Sequence, residues 1–190
     1  MNPTTKLNVT ADTFPRLRPL LEYLDHLGRP ADLATLRRLL QELDITRADV
    51  ERACIFKEDR YQRNMIRQTD WYELVCLCWM SGQRTPIHDH KGSACAFLVV
   101  DGVATETRFD RTDSGLICPT WTKHHEPGYV CASAEADIHQ VANTRPPGEQ
   151  TITLHCYTPQ LRNFNVYTLD TLTASDPASV QCRELPIKTS

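Results

Sequence analysis

The chain has 190 residues, of which 41% are hydrophobic and 24% are charged, so it can build a packed core and wholesale disorder is excluded. The 21 lysines and arginines against 24 acidic residues give a formal charge of −3, which argues against a nucleic-acid-binding protein. No apolar run approaches the roughly 18 residues of a membrane span, and the N-terminus lacks the apolar segment of a signal peptide. We therefore expect one domain over residues 1–190, a cytoplasmic monomer that binds neither nucleic acid nor membrane.

Residues 14–53 have the periodicity of amphipathic helices. Leucines recur at three- and four-residue spacing, first between Leu17 and Leu24 and then between Leu33 and Leu43. Pro30 fits the start of the second helix, and Thr46 is a candidate N-cap for a short third one. The pattern predicts helices that each bury one stripe against the rest of the fold, as a structural cap.

Residues 54–170 change to short β-prone runs, and turn signals such as Asp101-Gly102 separate several of them. The predicted strands are 61–67, 72–80, 94–100, 104–109, 129–132, 138–142, 152–158 and 166–169. His124 and His125 fall in a polar stretch outside these strands. The pattern predicts a mainly β fold, a small antiparallel barrel or jelly roll with N-terminal α-helices. Such a barrel can hold one small ligand in its mouth.

The chain contains eight cysteines, an even number that is compatible with a disulfide framework. A cytoplasmic protein of this size needs no such framework, and no CxxC pair indicates a zinc ribbon. Cys76, Cys78 and Cys156 lie inside apolar runs, where cysteine packs as a small hydrophobic residue. We therefore interpret most of the cysteines as space-filling core residues.

His88 and His90 are separated by one residue, which in a strand places both side chains on the same face. A metal site needs a third ligand from another strand. His139 is the best candidate because it lies in a β-prone run, and His155 also lies on a predicted strand. Such a histidine pair is by itself weak evidence, since most lie on surfaces or in cores. Three neutral imidazoles with open positions would suit ferrous iron and oxygen chemistry, although zinc also binds imidazole.

Two stretches around these histidines resemble the characteristic motifs of the cupin superfamily. The first motif is carried by Gly82, His88, His90, Cys95 and Gly102. The second is carried by Gly128, His139 and Asn143. Cys95 stands where cupins usually have a glutamate ligand, and residues 134–136 replace the usual Pro-x-Gly of the second motif.

Within the cupins, the chain resembles the cysteine dioxygenases of the thiol dioxygenase family. The matching stretches are 61–64, 78–79, 87–90, 93–95, 138–141 and 154–159. The resemblance implies a single cupin domain over 1–190, with helices of residues 14–53 packed on a barrel of residues 54–170. It also implies ferrous iron, Fe(2+), held by His88, His90 and His139. In the family, L-cysteine chelates the iron through its thiolate and amine, and O2 converts it to cysteine sulfinic acid.

The resemblance assigns substrate binding to Arg63 and Tyr61, which lie two residues apart on one predicted strand. A guanidinium makes a forked, charge-assisted match to a carboxylate. Relatives that prefer 3-mercaptopropionate have Gln at the position of Arg63, so arginine here favours cysteine. From the sequence alone, the competing interpretation of Arg63 is a solvated residue on the outer face.

Thr153, His155 and Tyr157 alternate along one predicted strand and therefore share a face. They could form a hydrogen-bond relay that ends at a bound substrate or dioxygen. The alternative is a half-buried aromatic strand without a chemical role. The resemblance assigns catalytic roles to Tyr157, His155 and Cys95, makes a Cys95–Tyr157 thioether cross-link possible, and implies a cis peptide at Thr158-Pro159.

Three functional hypotheses stay open at this point. The first is an iron-dependent cysteine dioxygenase. The second is a dioxygenase of another small thiol, such as 3-mercaptopropionate, whereas cysteamine lacks the carboxylate that Arg63 would bind. The third is a non-catalytic, metal-binding cupin.

Overall fold

The computed structural model describes residues 4–6, 13–113, 115–134 and 136–169. Cys182 and the weakly patterned tail from residue 171 lie outside these ranges. Across the described residues, no helix combines the length and the apolar character that a membrane crossing requires.

Short helices occupy much of the chain between residues 15 and 53. They are α1 (Arg18–Asp25), α2 (Leu33–Gln41) and α3 (Arg47–Val50), with 3-10 turns at Pro15–Leu17 and Glu51–Ala53. Helix α2 begins later than Pro30 indicates, because the Asp32 carboxylate is the N-cap and accepts the Thr35 amide at 2.8 Å. Thr46 precedes α3 as predicted, and its amide donates to the Asp49 carboxylate at 2.8 Å.

The described strands form two sheets. The strands are β1 (Thr4–Lys6), β2 (Gln62–Gln68), β3 (Glu73–Trp79), β4 (Ile87–His88), β5 (Ala94–Asp101), β6 (Ala104–Arg111), β7 (Ile117–His125), β8 (Val130–Ser133), β9 (Ile138–Ala142), β10 (Thr151–Thr158) and β11 (Val166–Tyr167). The order is β1-β2-β3-β10-β5-β8 in the first sheet and β11-β4-β9-β6-β7 in the second. Strand β1 pairs with β2 in parallel, and the other pairings between these strands are antiparallel. The mainly β, two-sheet architecture agrees with the fold class that the sequence predicts.

Strand β7 corrects the expectation that His124 and His125 lie outside the strands. Most β7 side chains are half-buried or exposed, so the run lacks the apolar alternation from which strands are predicted. The strand lies at the edge of the second sheet and pairs with β6 along almost its whole length. Strand β7 is therefore stabilised by its backbone hydrogen bonds to β6, and the local sequence does not show this pairing.

The two main core clusters lie on opposite faces of the first sheet. Strand β3 shows the division, because Leu74, Cys76 and Cys78 belong to the cluster under the helices. Its alternate residues, Leu77 among them, belong to the cluster that also contains Tyr157. Buried on both faces, β3 reads as a continuous apolar run.

The turn between β5 and β6 requires glycine. Gly102 has φ of +72°, in the left-handed region that L side chains rarely adopt. A Cβ at this position would overlap the backbone oxygen of Gln150. The turn therefore brings the β5–β6 connection directly against the start of β10.

Candidate metal centre

His88, His90 and His139 come together between strands of the second sheet. One ring nitrogen from each lies within 4.8 Å of the others, and all three residues are buried. His88 on β4 is the register partner of His139 on β9, and the Nε2 atoms of His90 and His139 are 3.3 Å apart. The convergence that the sequence predicts is present, although β4 ends at His88 and His90 follows it in a turn closed by a Ser93 N–H to His90 carbonyl bond of 2.6 Å.

Hydrogen bonds at Nδ1 set the tautomers of two of these rings. The Pro86 carbonyl lies 3.0 Å from His88 Nδ1, and a Glu106 carboxylate oxygen lies 2.9 Å from His139 Nδ1. Both partners can only accept, so each Nδ1 carries a hydrogen, and in the neutral form of each ring Nε2 keeps its lone pair. Convergent, unprotonated imidazole nitrogens are the donor set that a first-row divalent metal takes, so the residues fit a metal ion.

Burial keeps the rings in the form that binds metals. It lowers the pKa of His88 to about 3, and the interaction with the neighbouring His139 acts in the same direction. Burial also lowers the pKa of His90 and His155 well below the usual value. The imidazoles of His88 and His90 are therefore neutral around neutral pH, and metal binding needs no proton to leave these two rings.

Glu106 is a central residue of the site that the sequence analysis did not identify. Its side chain is fully buried on β6 and accepts from His139 at 2.9 Å, from His125 Nε2 at 3.1 Å and from Arg108 Nε at 2.9 Å. Burial would raise its pKa, but the hydrogen bond and electrostatic interaction with His139 and the charge of Arg108 prevail and lower it to about 2. The sequence offered one sign of its importance. Glu106 is an acidic residue inside a predicted strand, on the same strand face as Ala104 two residues earlier.

A cavity opens beside the histidines. It is lined by Tyr61, Arg63, Leu77, Thr85, Pro86, His88, His139, Val141, His155, Tyr157, Leu161 and Phe164. The Arg63 guanidinium lies 5.4 Å from the centroid of the Tyr157 ring and is 3% exposed, so it is not the solvated arginine of the competing interpretation. Tyr61 immediately precedes β2 and stacks on Trp79 with ring centroids 4.6 Å apart.

Arg63 also has an ion-pair partner that the sequence analysis did not predict. Its Nη2 donates to a Glu73 carboxylate oxygen at 2.6 Å, and its Nε donates to Thr4 Oγ1 at 3.3 Å. Both members of the pair are almost completely buried. Burial raises the pKa of Glu73 although the charge of Arg63 opposes it. Glu73 therefore fixes one side of the guanidinium and partly balances its charge.

The relay predicted along β10 is present and extends to Trp79. The indole N–H of Trp79 donates to Thr153 Oγ1 at 3.0 Å, which lies 2.9 Å from His155 Nε2. His155 Nδ1 lies 3.4 Å from the Tyr157 hydroxyl. With the Thr153 hydroxyl donating to Nε2, Nδ1–H donates to Tyr157, and the phenol hydrogen is free for a bound ligand.

Cys95 lies directly across from Tyr157 in the register of β5 and β10. Its sulfur is 3.9 Å from His155 Nδ1, so the cysteine and the relay share one buried neighbourhood. Burial raises the pKa of the Cys95 thiol well above the usual value, which leaves it neutral. The Thr158-Pro159 peptide is cis, as the resemblance implied.

The sequence model of the family described as cysteine dioxygenase type I matches residues 8–169. The chain belongs to this family. Cysteine dioxygenase type 1 of Rattus norvegicus is 27% identical over 149 residues, 75% of this chain and 74% of the relative. The Homo sapiens protein of the same name is 29% identical over 108 residues, 55% of this chain and 54% of the relative. The predicted family is therefore confirmed, and the chain is a thiol dioxygenase of the cupin type.

A solved structure supports the fold independently. A conserved Klebsiella pneumoniae protein with a double-stranded β-helix domain superposes with a TM-score of 0.52 at 17% identity. The match covers 62% of this chain and 87% of the other. Together with the two antiparallel sheets, this likeness confirms the predicted cupin fold.

Proposed function

We propose that this family member oxidises L-cysteine with O2 to cysteine sulfinic acid at ferrous iron held by His88, His90 and His139. Cysteine would bind through its thiolate and amine, with its carboxylate on Arg63. Bound iron would supply the activation of dioxygen and the acidity that converts the thiol to a thiolate. The observation that carries the choice of substrate is the buried Arg63 guanidinium on the wall of the same cavity as His88 and His139.

Arg63 supports an acidic substrate through its geometry. Glu73 and Thr4 account for two of the five N–H donors of the guanidinium, and Tyr157 is a further hydrogen-bond partner. Further donors are left for a substrate carboxylate, which they could bind in a forked, charge-assisted way. The Tyr157 ring lies against the guanidinium and restricts its orientation.

Tyr157 would act as a hydrogen-bond donor to the bound substrate or dioxygen. Burial and the neighbouring Cys95 raise the pKa of its phenol well above the usual value, so the hydroxyl keeps its hydrogen. His155 orients that hydroxyl, and Thr153 fixes the tautomer of His155. These residues would position the substrate and reduce the freedom of the reacting groups.

A thioether between Cys95 and Tyr157 is part of the proposal. The two residues face each other in register. Joining the sulfur to a ring carbon removes one hydrogen from each, and O2 would accept the two electrons. The link would fix Tyr157 against the cavity and tune activity without being essential to it.

Oxygen uptake by the iron-loaded protein tests the substrate. We expect uptake with L-cysteine, less with 3-mercaptopropionate, and none with cysteamine, which has no carboxylate for Arg63. Uptake restricted to 3-mercaptopropionate would refute the substrate choice. No uptake with any thiol, despite bound iron, would favour the non-catalytic metal-binding cupin.

Arg63→Gln tests the role of the guanidinium, and Arg67→Gln is its matched control. Arg67 lies on the same strand but is half exposed and pairs with Asp25 at 2.9 Å. We expect Arg63→Gln to raise KM for cysteine by about 10–100-fold, because a charged hydrogen bond contributes about 1.5–3 kcal/mol. The iron content of both variants should not change, and neither should the KM of Arg67→Gln.

The monomeric state, the cytoplasmic location and the division into helical and barrel regions stay predictions.

A further inference from the structure

A second cluster of possible metal ligands lies away from the histidines. Cys54, Cys76 and Cys78 place their sulfur atoms within 4.8 Å of one another, and the Cys76 and Cys78 sulfurs are 4.0 Å apart. Cys76 and Cys78 belong to the core cluster under the helices, whereas Leu77 between them belongs to the cluster beside the cavity. The three thiols are therefore on the opposite face of the first sheet from the candidate metal centre.

The cluster joins two regions that are distant in the sequence. Cys54 directly follows the 3-10 turn Glu51–Ala53 at the end of the helical region, and the other two cysteines are on β3. The Cys78 sulfur also lies 3.6 Å from the Ala53 carbonyl oxygen, and Cys54 remains half-buried. An ion at this place would connect the helical region to the barrel and could enter from the side of Cys54.

The sulfur spacing suits a soft cation. A metal bound to three thiolates at about 2.3 Å requires sulfurs about 3.8–4.0 Å apart, for tetrahedral or trigonal geometry. The Cys76–Cys78 separation of 4.0 Å meets this requirement as it stands. The Cys54 sulfur lies within 4.8 Å of the other two. It would therefore have to move towards them by no more than about 1 Å to reach the separation that a shared metal requires.

Asn64 provides an independent observation at the cluster. It is fully buried on β2 as the register partner of Cys76, and its Nδ2 donates to the Ile55 carbonyl at 3.0 Å and to the Cys78 sulfur at 3.4 Å. Its Oδ1 is buried without a hydrogen-bond partner in the described part of the chain. Its amide nitrogen, in contrast, faces the Cys78 sulfur and suits a thiolate there, because a negatively charged acceptor strengthens an N–H hydrogen bond.

We propose that Cys54, Cys76 and Cys78 form a second metal site for a thiophilic cation, Zn2+ or Cu+, with the Asn64 amide donating a hydrogen bond to the Cys78 thiolate. The site is structural, because it fastens the end of the helical region to β3. It does not depend on the reaction at the histidines. Binding converts the three thiols to thiolates and releases their protons to solvent.

The test uses the full-length, reduced, iron-loaded protein. Cd2+ is the spectroscopic probe, since thiolate-to-cadmium charge transfer in the ultraviolet reports sulfur ligation and imidazole ligands do not produce it. Separate titrations with Zn2+ and with Cu+ under chelator competition identify the natural cation. We expect one thiolate-bound ion per chain beyond the iron, and a higher Tm with the ion bound.

Cys54→Ser is the diagnostic variant, and Cys118→Ser is the control, because Cys118 is also half-buried but lies outside the cluster. Loss of a direct ligand should weaken binding by more than about 100-fold, since losing outer-shell groups alone costs about 10–100-fold. Oxygen uptake with cysteine should survive in both variants. In the wild type, bound ion should also protect Cys54 from alkylation and leave Cys118 reactive, a measurement that does not depend on the folding of a variant.

Three results would overturn the proposal. One is the absence of any thiolate-bound ion beyond the iron in all three titrations. Another is equal affinity in the wild type and in Cys54→Ser. The third is a disulfide between Cys54 and Cys76 or Cys78 in the reduced, metal-treated protein, detected as a mass lower by two hydrogens and a loss of two free thiols.

Discussion

Replacing Glu106 should weaken metal binding although the residue is not itself a predicted ligand. Its carboxylate accepts the Nδ1 hydrogen of His139 and so leaves Nε2 of that ring for the metal. Glu106→Ala removes this acceptor and allows the ring to rotate or to change tautomer. Glu106→Gln is subtler, because an amide oxygen can keep the bonds from His139 and Arg108 while the amide nitrogen faces His125.

The two variants should differ in magnitude. A hydrogen bond to a charged group contributes about 1.5–3 kcal/mol and a neutral one about 0.5–1.5 kcal/mol, so Glu106→Gln forfeits about 1–1.5 kcal/mol, or about tenfold in metal affinity. Glu106→Ala loses both the charge and the orientation of His139, which places it near the upper end of about 100-fold. The difference between them measures how much of the effect is orientation.

The assay is a competition titration of ferrous iron against a chelator, with circular dichroism to verify the fold. Glu73→Gln is the matched control, because Glu73 is also a buried glutamate paired with an arginine but contacts Arg63 rather than His139. It should leave iron affinity unchanged and raise KM for cysteine. Wild-type iron affinity in both folded Glu106 variants would refute the idea that this carboxylate sets the tautomer of His139.

Other perturbations have equally definite outcomes. Tyr157→Phe should reduce kcat by about 100-fold and leave the iron content unchanged. On a denaturing gel, a wild type that is partly cross-linked to Cys95 should give a doublet, and the variant should give one band. A doublet that persists in the variant would place the link elsewhere. Gly102→Ala should lower the free energy of unfolding in urea by at least about 1–2 kcal/mol, since its φ of +72° disfavours a side chain. The metal-free protein should lose stability as the pH falls from about 6.5 towards 3, because the unfolded state binds protons that His88, with its pKa lowered to about 3, does not. The slope is up to about 1.4 kcal/mol per pH unit for each such histidine, and urea unfolding at about pH 7 and about pH 5.5 measures it; equal stability at both would contradict the neutral, buried ring.

The fold could be predicted where side-chain pattern and backbone pairing carry the same information. Strand β9 has the predicted bounds, Ile138–Ala142, because its side chains are mostly buried and apolar. Strand β7 could not be predicted, since it is an edge strand with mostly polar, accessible side chains and depends on β6 for its hydrogen bonds. Helix α2 shows the same limit on a smaller scale, because its start is decided by the Asp32 carboxylate and not by the nearby proline.

The residues of the candidate site can also be divided into those that the sequence reveals and those that it does not. The histidines could be found because their spacing matches a motif, and the relay could be found because Thr153 and His155 are neighbours on one strand face. Glu106 and Glu73 could not be found, because the role of a buried carboxylate depends on which side chain it contacts. Those partners, His139 and Arg63, reach them from different strands through the pairing of the sheet. Sequence spacing predicts contacts within an element, and these contacts cross between elements.

The distribution of charge around the cavity supports an anionic, two-ended substrate. Cys95, at the position where cupins usually have a glutamate ligand, is a neutral thiol, so three imidazoles would leave the full positive charge of a metal uncompensated. The negative charge of Glu106 is directed to the far side of His139 and to Arg108. Arg63 supplies the second positive group on the same cavity. A small molecule with a thiolate at one end and a carboxylate at the other would satisfy both, whereas a thiol without a carboxylate would leave Arg63 with Glu73 as its only acidic partner among the described residues.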